Sequence, residues 1–511
     1  MNVRWGRCFN FDKCKDAQQN QPIPIPRGAP FVCPGCAEPL HDEHVAVPRK
    51  APATPRKKPS VALLGAIAVS ILILAGLAAL WSWVHFANGA MAKREPILRL
   101  AGSNTIGDTL GPALAEAFLK NQGATDVRIL PGANPLEKIV EGVLPGDTKP
   151  SAITIAAHGS ATAFTALADN SCDIGMASRK VKPDEAAKLK SLGDMSSFAN
   201  EHVLGLDGIA VIVSAANPAV QFDKDKIKRI FTGEITDWSQ LGAYRGAIKI
   251  YARDDKSGTY DTFKSLVLGG KPLAAGAQRI EDSKALSDAV AADPNGIGFI
   301  GLPYIQSAKS IAVSDKGTLA LLPTRLTVST EDYLLSRRLY LYTPANPSNK
   351  YTRSFVEFAL SKKGQDVVGA TGFVAQNVTQ VAQTISADAP AEYRWLTKDA
   401  NRLTLDFRFA SGQTDLDNKA KVDLDRVVSL VADMKVPGSK VMLFGFSDGV
   451  GSHSSNQALS LSRAKSIEIQ FIERGMSPAI VRGYGSDMPI ASDETDEGQG
   501  RNRRVEIWIQ K

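Results

Sequence analysis

The pattern of apolar and polar positions divides the chain before any motif is considered. The longest apolar run, VALLGAIAVSILILAGLAALWSWV at residues 61–84, contains no charge. As a helix it would extend about 36 Å at 1.5 Å per residue, enough for a tilted bilayer crossing. A secretory h-region would be shorter and nearer the start, and a buried core helix is rarely apolar on every face. The run therefore reads as one membrane span. From about residue 98 to 385 strand-like and helix-like periods alternate, as in ILRLAGS followed by GDTLGPALAEAFLK, and IKIYARD followed by TYDTFKSLVL. That alternation predicts layered α/β structure. A short polar stretch, SADAPAEYRW, then leads into a new pattern. LTLDFRF and KVMLFGFSD read as strands, and residues 415–433 as a helix with Leu424, Val427, Val428 and Val431 on its apolar face. Residues 456–473 read as a second helix, and RRVEIWIQK as a strand with Val505, Ile507 and Ile509 alternating.

Composition and charge refine this partition. The chain has 511 residues, 44% hydrophobic and 22% charged, which is several ordinary globular domains. It is not collagen-like, wholly disordered or disulfide-dense, and a net charge of +7 gives no whole-chain case for nucleic-acid binding. Ahead of the apolar run lie Arg49, Lys50, Arg56, Lys57 and Lys58; after it come Lys93 and Arg94, followed at once by Glu95. The positive-inside bias puts the N-terminus in the cytoplasm and everything after residue 84 outside it, with Trp81 and Trp83 at the far interface. The expected organisation is a small module at 1–47, a basic linker at 48–60, the span at 61–84, a large α/β domain at 96–385 and a smaller α+β domain at 400–511.

Four of the five cysteines, Cys8, Cys14, Cys33 and Cys36, precede the span, the last two in a Cys-Pro-Gly-Cys turn. A reducing compartment disfavours disulfides, and four thiolates suit tetrahedral zinc. The segment resembles a small zinc ribbon, although Cys8 and Cys14 are spaced more widely than in the usual knuckle. His41 or His44 is an alternative ligand, and a set of free thiols is the competing reading. Zinc would be structural here. Cys172 stands alone beyond the span and reads as a small core residue.

Three segments of the large domain share one plan. Gly102-Ser103-Asn104-Thr105, Gly159-Ser160-Ala161-Thr162 and Ser257-Gly258-Thr259 each precede a helical pattern. Small hydroxyl residues and a Gly stand where free backbone N–H groups open a helix, an arrangement suited to an anion. Each turn alone is also an ordinary N-cap. Arg253, four residues before Ser257, adds a guanidinium fork. Residues from about 98 to 385 resemble the periplasmic phosphate-binding proteins of phosphate ABC transporters. The matching segments are AGSNTIGDTL, HGSATAF, CDIGMASRKV, IFTGEITDWSQLG and RDDKSGTYDTF. The resemblance implies a two-lobed, type II periplasmic-binding-protein-like fold that closes on one tetrahedral oxyanion. By position, Ser103, Thr105 and Ile106 would bind through the first turn, Ser160 through the second, and Arg253, Ser257, Gly258 and Thr259 through the third. Many members carry an Asp after the Gly-x-Ala-Ser run, where it accepts a proton from monohydrogen phosphate; here Ser178 is followed by Arg179. If Arg179 faces the site, selectivity against sulfate is in doubt; if it faces away, it is a surface or hinge-pairing group. Asp173 and Asp254 are the alternative acceptors, and His158 is a candidate lining residue.

The final domain carries GFSDGVGSHSSNQALSLSRA and NRRVEI. It resembles the OmpA-like peptidoglycan-binding domain over residues 400–511. The resemblance implies that Asp448 takes the ammonium and Arg463 the carboxylate of a diaminopimelate side chain, with Asn456 and Arg503 in support. The combined expectation is a single-pass inner-membrane protein, most of it periplasmic, that binds phosphate, grips peptidoglycan and serves phosphate uptake with an ABC permease as partner. A phosphate-responsive sensor or envelope scaffold is the alternative. An esterase ranks low, because no nucleophile–base pair or metal cluster accompanies Ser257.

Overall fold

The computed structural model describes residues 3–8, 14–15, 21–42, 95–242 and 245–511. The basic linker and the expected span at 61–84 lie outside the described residues. Among the described residues no helix is long and apolar enough to cross a membrane. The chain divides into two compact units, Met1–Arg94 and Glu95–Lys511.

In the first unit the strand Val3–Arg7 lies between Ile23–Pro26 and His41–Asp42, antiparallel to both. Its small core is Ile25 and Leu40 packed with Cys8, Cys14 and Cys33.

The second unit holds both larger domains. Leu98–Gly102 pairs in parallel with Ser151–Ala156 and with Ile174–Ala177, so it has a neighbour on each edge, and all of its residues but Arg99 are buried. The helix Leu110–Asn121 buries Leu110, Leu114 and Phe118, with Phe118 set edge-on to Phe355 and Phe358. The strand Glu201–Val213 ties the two lobes into one sheet. Its first half pairs with Ser336–Tyr342 beside the first lobe, and its second half with Gly296–Gly301 in the second. Glu201–Val213 and Ser336–Tyr342 are thus the paired strands at the junction of the lobes. The segment IFTGEITDWSQLG builds the core of the second lobe. Asp237 caps the 3-10 turn Trp238–Leu241, and the fully buried Trp238 donates its indole N–H to the Asn295 carbonyl at 3.1 Å.

The C-terminal sheet runs Gln380–Val381, Ala400–Arg408, Arg504–Gln510, Val441–Gly445, Ile480–Gly483. Its edge strand lies ahead of the boundary expected at 400. Val505, Ile507 and Ile509 face the helices Asn418–Asp433 and His453–Ile472 through Val427, Ile467 and Phe471. The opposite face packs Trp508, Met442 and Phe444 under Tyr393. Both long helices start where a polar side chain takes a first-turn N–H: Asp417 accepts from Ala420, and Ser452 from Ser455. The helix expected over TYDTFKSLVL is shorter than its pattern. Gly258–Phe263 passes into a π turn, Lys264–Leu268, which ends at Gly269 with φ 59°.

The two domains meet through buried charge. Arg408 donates to Asp332 at 3.0 Å, Arg402 lies 3.1 Å from Asp332 and 2.8 Å from Asp406, and Arg338 bridges Glu331 and Asp417 at 2.5 Å each. Arg504 adds a contact of 2.9 Å to Glu506. Burial alone would raise the Glu331, Asp332 and Asp417 carboxyls. The guanidiniums of Arg338, for Glu331 and Asp417, and of Arg402, for Asp332, outweigh it and hold all three below the usual carboxylate range.

Candidate functional site

The three hydroxyl-rich turns converge where the lobes face each other. Thr105 Oγ1 of the first lobe lies 3.3 Å from Thr259 Oγ1 of the second. Ser160 Oγ accepts the backbone N–H of Ser178 at 3.0 Å and lies 3.2 Å from its hydroxyl. Gly258 approaches this pair so closely that a Cβ would sit 2.2 Å from Ser178 Oγ and 2.4 Å from Ser160 Oγ. Only a glycine lets the lobes meet there. Ser257 Oγ accepts from Thr259 and Tyr260 N–H at 3.2 and 3.4 Å, which leaves its own hydrogen to donate. Ser103 Oγ is buried without a hydrogen-bond partner. Ile106 puts its side chain into the first lobe's core, which leaves only its backbone, in the first turn of Asn104–Gly107, for any contact with the cluster.

Two guanidiniums complete the cluster. Arg253 is 1% exposed, and its Nη1 donates to Ser283 Oγ at 2.7 Å. Its Nε and Nη2 are buried without a hydrogen-bond partner, and Asp254 Oδ2, also buried without one, makes a long ion pair with Nη2 at 3.8 Å. Burial first, and the nearby charge of Arg337 after it, depress the Arg253 pKa despite Asp254. Arg337 is the residue that sequence reasoning missed. Its Nη2 lies 2.9 Å from Thr259 Oγ1, 3.3 Å from Thr105 Oγ1 and 2.6 Å from Asp207, and its Nη1 lies 3.4 Å from Ser178 Oγ. Asp207, fully buried, also accepts the Leu302 N–H. A pair of charges inside otherwise apolar strands, Asp207 in VLGLDGIAVIV and Arg337 in SRRLYLY, was the available signal.

Other candidates point elsewhere. Arg179 faces away from the hydroxyl cluster. It pairs with Glu185 at 2.7 Å and, across the lobes, with Asp261 at 3.1 Å, over the ring of Phe164. Asp173 is held by Arg99 at 3.0 Å, and His158 contacts Glu137 at 3.1 Å. Cys172 is buried in the first lobe.

In the C-terminal domain, Asp448 pairs with Arg503 at 2.8 Å, not with Arg463. Arg503 lies at the end of the helix Asp496–Asn502, one residue ahead of the last strand. Arg463 is fully buried, with Nε and Nη2 on the Gln413 and Ala410 carbonyls and Nη1 without a partner. Burial, then Arg503, lowers its pKa to about 10, so it stays charged at neutral pH. Asn456 is buried on the same helix, and Ser447 Oγ is buried without a partner.

The four N-terminal cysteines bring their sulfurs within 4.8 Å of one another, with Cys8–Cys36 at 3.6 Å and Cys14–Cys33 at 3.5 Å. Tetrahedral zinc with Zn–S near 2.3 Å would separate its sulfurs by about 3.8 Å, so the donor set fits such an ion. Neither histidine considered as a substitute belongs to this group: His41 is outside it, and His44 lies outside the described residues.

Comparison with known proteins agrees with these two domains. The model of the PBP superfamily domain matches residues 99–363, and the chain belongs to that superfamily. The OmpA family model matches residues 408–503. The phosphate-binding protein PstS of Staphylococcus saprophyticus is 29% identical over 238 residues, covering 45% of this chain and 73% of that protein. PstS of Staphylococcus aureus is also 29% identical, with 71% of its length covered. Among solved structures, a Clostridium perfringens substrate-binding protein with bound phosphate aligns at TM-score 0.43 and 27% identity, over 54% of this chain and 98% of that one. A phosphate transport receptor of Vibrio cholerae aligns at 0.42 and 21%, over 54% of this chain and 99% of that one.

Proposed function

We propose that this chain binds inorganic phosphate between its two lobes while its C-terminal domain holds it to peptidoglycan. The observation that carries the reading is Arg253. A guanidinium with two buried nitrogens that make no hydrogen bond, its carboxylate no nearer than 3.8 Å, beside a second guanidinium and a ring of hydroxyls, is costly unless an anion completes it. Ser103, Thr105, Ile106, Ser160, Ser178, Ser257, Gly258 and Thr259 supply hydroxyl or backbone donors for a tetrahedral oxyanion, and Arg253 and Arg337 balance its charge. The Asp254 oxygen left without a hydrogen bond is the acceptor for the proton of monohydrogen phosphate. Arg179, satisfied by two carboxylates, adds nothing to anion attraction. The relatives named as phosphate-binding proteins support the same ligand.

In the C-terminal domain Arg463 keeps one buried N–H-bearing nitrogen free for a carboxylate, while Asp448 faces the ammonium of diaminopimelate. With residues 61–84 as an inner-membrane span and zinc holding the four cysteines, the protein keeps a phosphate binder between membrane and wall. That placement raises its effective concentration near a membrane partner such as an ABC permease. The docking of the C-terminal domain on the hinge favours a second reading, a phosphate-responsive sensor or scaffold. Calorimetry with phosphate and with sulfate on the purified chain tests the ligand. Phosphate binding well in excess of sulfate is expected, and no heat with either anion in a folded chain would overturn the reading. Phosphate uptake lost on deletion separates transport from sensing.

A further inference from the structure

Ser336, Arg337 and Arg338 are consecutive on one of the two strands that connect the lobes, yet their contacts serve three places. Arg337 enters the anion site. Arg338 crosses to the C-terminal domain at Asp417. Ser336 Oγ accepts from Arg501 Nη1 at 2.9 Å, and the same Nη1 lies 2.7 Å from the Glu331 carbonyl and 3.0 Å from that of Tyr333. Arg501 belongs to the C-terminal domain, is tethered by Glu497 at 3.1 Å, and precedes by two residues the Arg503 that holds Asp448. The domain also touches both lobes. Asn418 donates to the Ser196 carbonyl of the first at 2.9 Å, and the Ser492 N–H donates to Asp315 of the second at 3.2 Å. Ala491 is part of the second lobe's core.

We infer that the C-terminal domain is a working part of the anion site. Arg501 is a positioning residue that fixes the strand from which Arg337 reaches the ligand, and the domain's hold on both lobes keeps them closed. The inference rests on the phosphate-binding reading above. Opening rotates one lobe against the other about the strands Glu201–Val213 and Ser336–Tyr342. A rigid body bound to both lobes and to the hinge must release one contact for that to happen. Those contacts therefore favour the closed, ligand-holding state, and stabilising closure tightens binding to the extent that the free protein would otherwise be open. A cavity of about 980 Å³ beside the cleft shows the same arrangement, because its wall includes Ser178, Arg179 and Arg337 from the binding domain with Arg408, Glu497 and Arg501 from the C-terminal one.

The test uses the full chain. Arg501→Ala should weaken phosphate binding roughly tenfold, through faster dissociation with association unchanged. Arg501→Lys should recover part of the loss. Arg482→Ala, which breaks an ion pair to Glu392 within the C-terminal domain, should change nothing in phosphate kinetics. Should Arg501→Ala not fold, hydrogen exchange on the wild-type chain gives an independent readout. Phosphate should slow exchange at 496–503 as well as at 103–107 and 257–260. Wild-type phosphate kinetics in a folded Arg501→Ala chain, or protection confined to the lobes, would overturn the inference alone. Absence of phosphate binding by the wild-type chain would overturn the functional reading and this inference with it.

Discussion

Buried arginines occur in two regions of the second unit, and their surroundings are opposite. At the domain boundary Arg402, Arg408 and Arg504 face Asp332, Asp406 and Glu506, three cations against three carboxylates. Between the lobes Arg253 and Arg337 have one carboxylate within hydrogen-bond distance, that of Asp207, and it belongs to Arg337. The first set is formally matched, although burial pushes the Asp406 carboxyl up to about 7, and it holds two domains in one arrangement. In the second, Arg253 has two buried nitrogens without hydrogen bonds, and its carboxylate, Asp254, stands off at 3.8 Å. Burial of charge is common to both, and Arg402, Arg408 and Arg504 each also keep one nitrogen without a hydrogen bond; the closeness of the carboxylate, 2.8–3.1 Å against 3.8 Å for Arg253, separates the structural set from the one that calls for a ligand. The C-terminal site resembles the second set, with Arg463 and Arg503 around the single carboxylate of Asp448.

Mutations should divide along the same line. The largest effect on stability is expected for Arg402→Met, which leaves Asp332 and Asp406 buried with too little positive charge. Denaturant unfolding should show a loss of about 3–5 kcal/mol, while phosphate affinity, once the protein is folded, changes much less. Arg253→Ala should do the reverse. Losing two charge-assisted hydrogen bonds of about 1.5 kcal/mol or more each should weaken phosphate binding by roughly a hundredfold, read by calorimetry. The melting temperature of the phosphate-free chain should change little, because removal of two buried nitrogens without hydrogen bonds offsets loss of the Ser283 bond and of the 3.8 Å ion pair to Asp254.

Acid should act on the balanced set next. Glu331, Asp332 and Asp417 have folded pKa values below their ordinary 4.5, 3.8 and 3.8. Their stabilisation is fully present above those ordinary values and is lost as pH falls through the folded ones. Asp406, pushed up to about 7 by burial, acts with the opposite sign and adds stability as pH falls through 7, so domain docking, followed by hydrogen exchange at 331–338, should not weaken from pH 7 to about 5 and should weaken below about 4. The smallest effect is expected for Lys316→Ala. Its ion pair with Glu494 also crosses the domain boundary but is solvent-exposed, so thermal melting should not change. A large effect there, or a stability loss in Arg253→Ala, would break the distinction.

The legible parts of the site were those with local signals. Gly102, Ser103 and Thr105, or Ser257, Gly258 and Thr259, lie within a few residues of one another, and the turn chemistry that makes them caps also makes them anion donors. The cysteine cluster was legible for a similar reason, through the Cys33–Cys36 turn. Arg337 was not, because a strand pattern gives the face of a residue and not its partner; Asp207 is 130 positions away. The direction of Arg179 was equally hidden. Glu185 is near in sequence, but Asp261 reaches it only from the other lobe.

By itself the sequence carried the α/β alternation, the two family resemblances and a set of candidate residues for an anion, a zwitterion and a metal. These follow from short-range periodicity and from side-chain chemistry, which each stretch carries with it. Only the tertiary structure decided which charges are neutralised. Arg338 and Arg337 are adjacent in the chain, yet one is consumed by Glu331 and Asp417 and the other is shared between Asp207 and the hydroxyl cluster. Ion pairing in a buried site depends on approach to within a few ångströms, and long-range packing sets that distance.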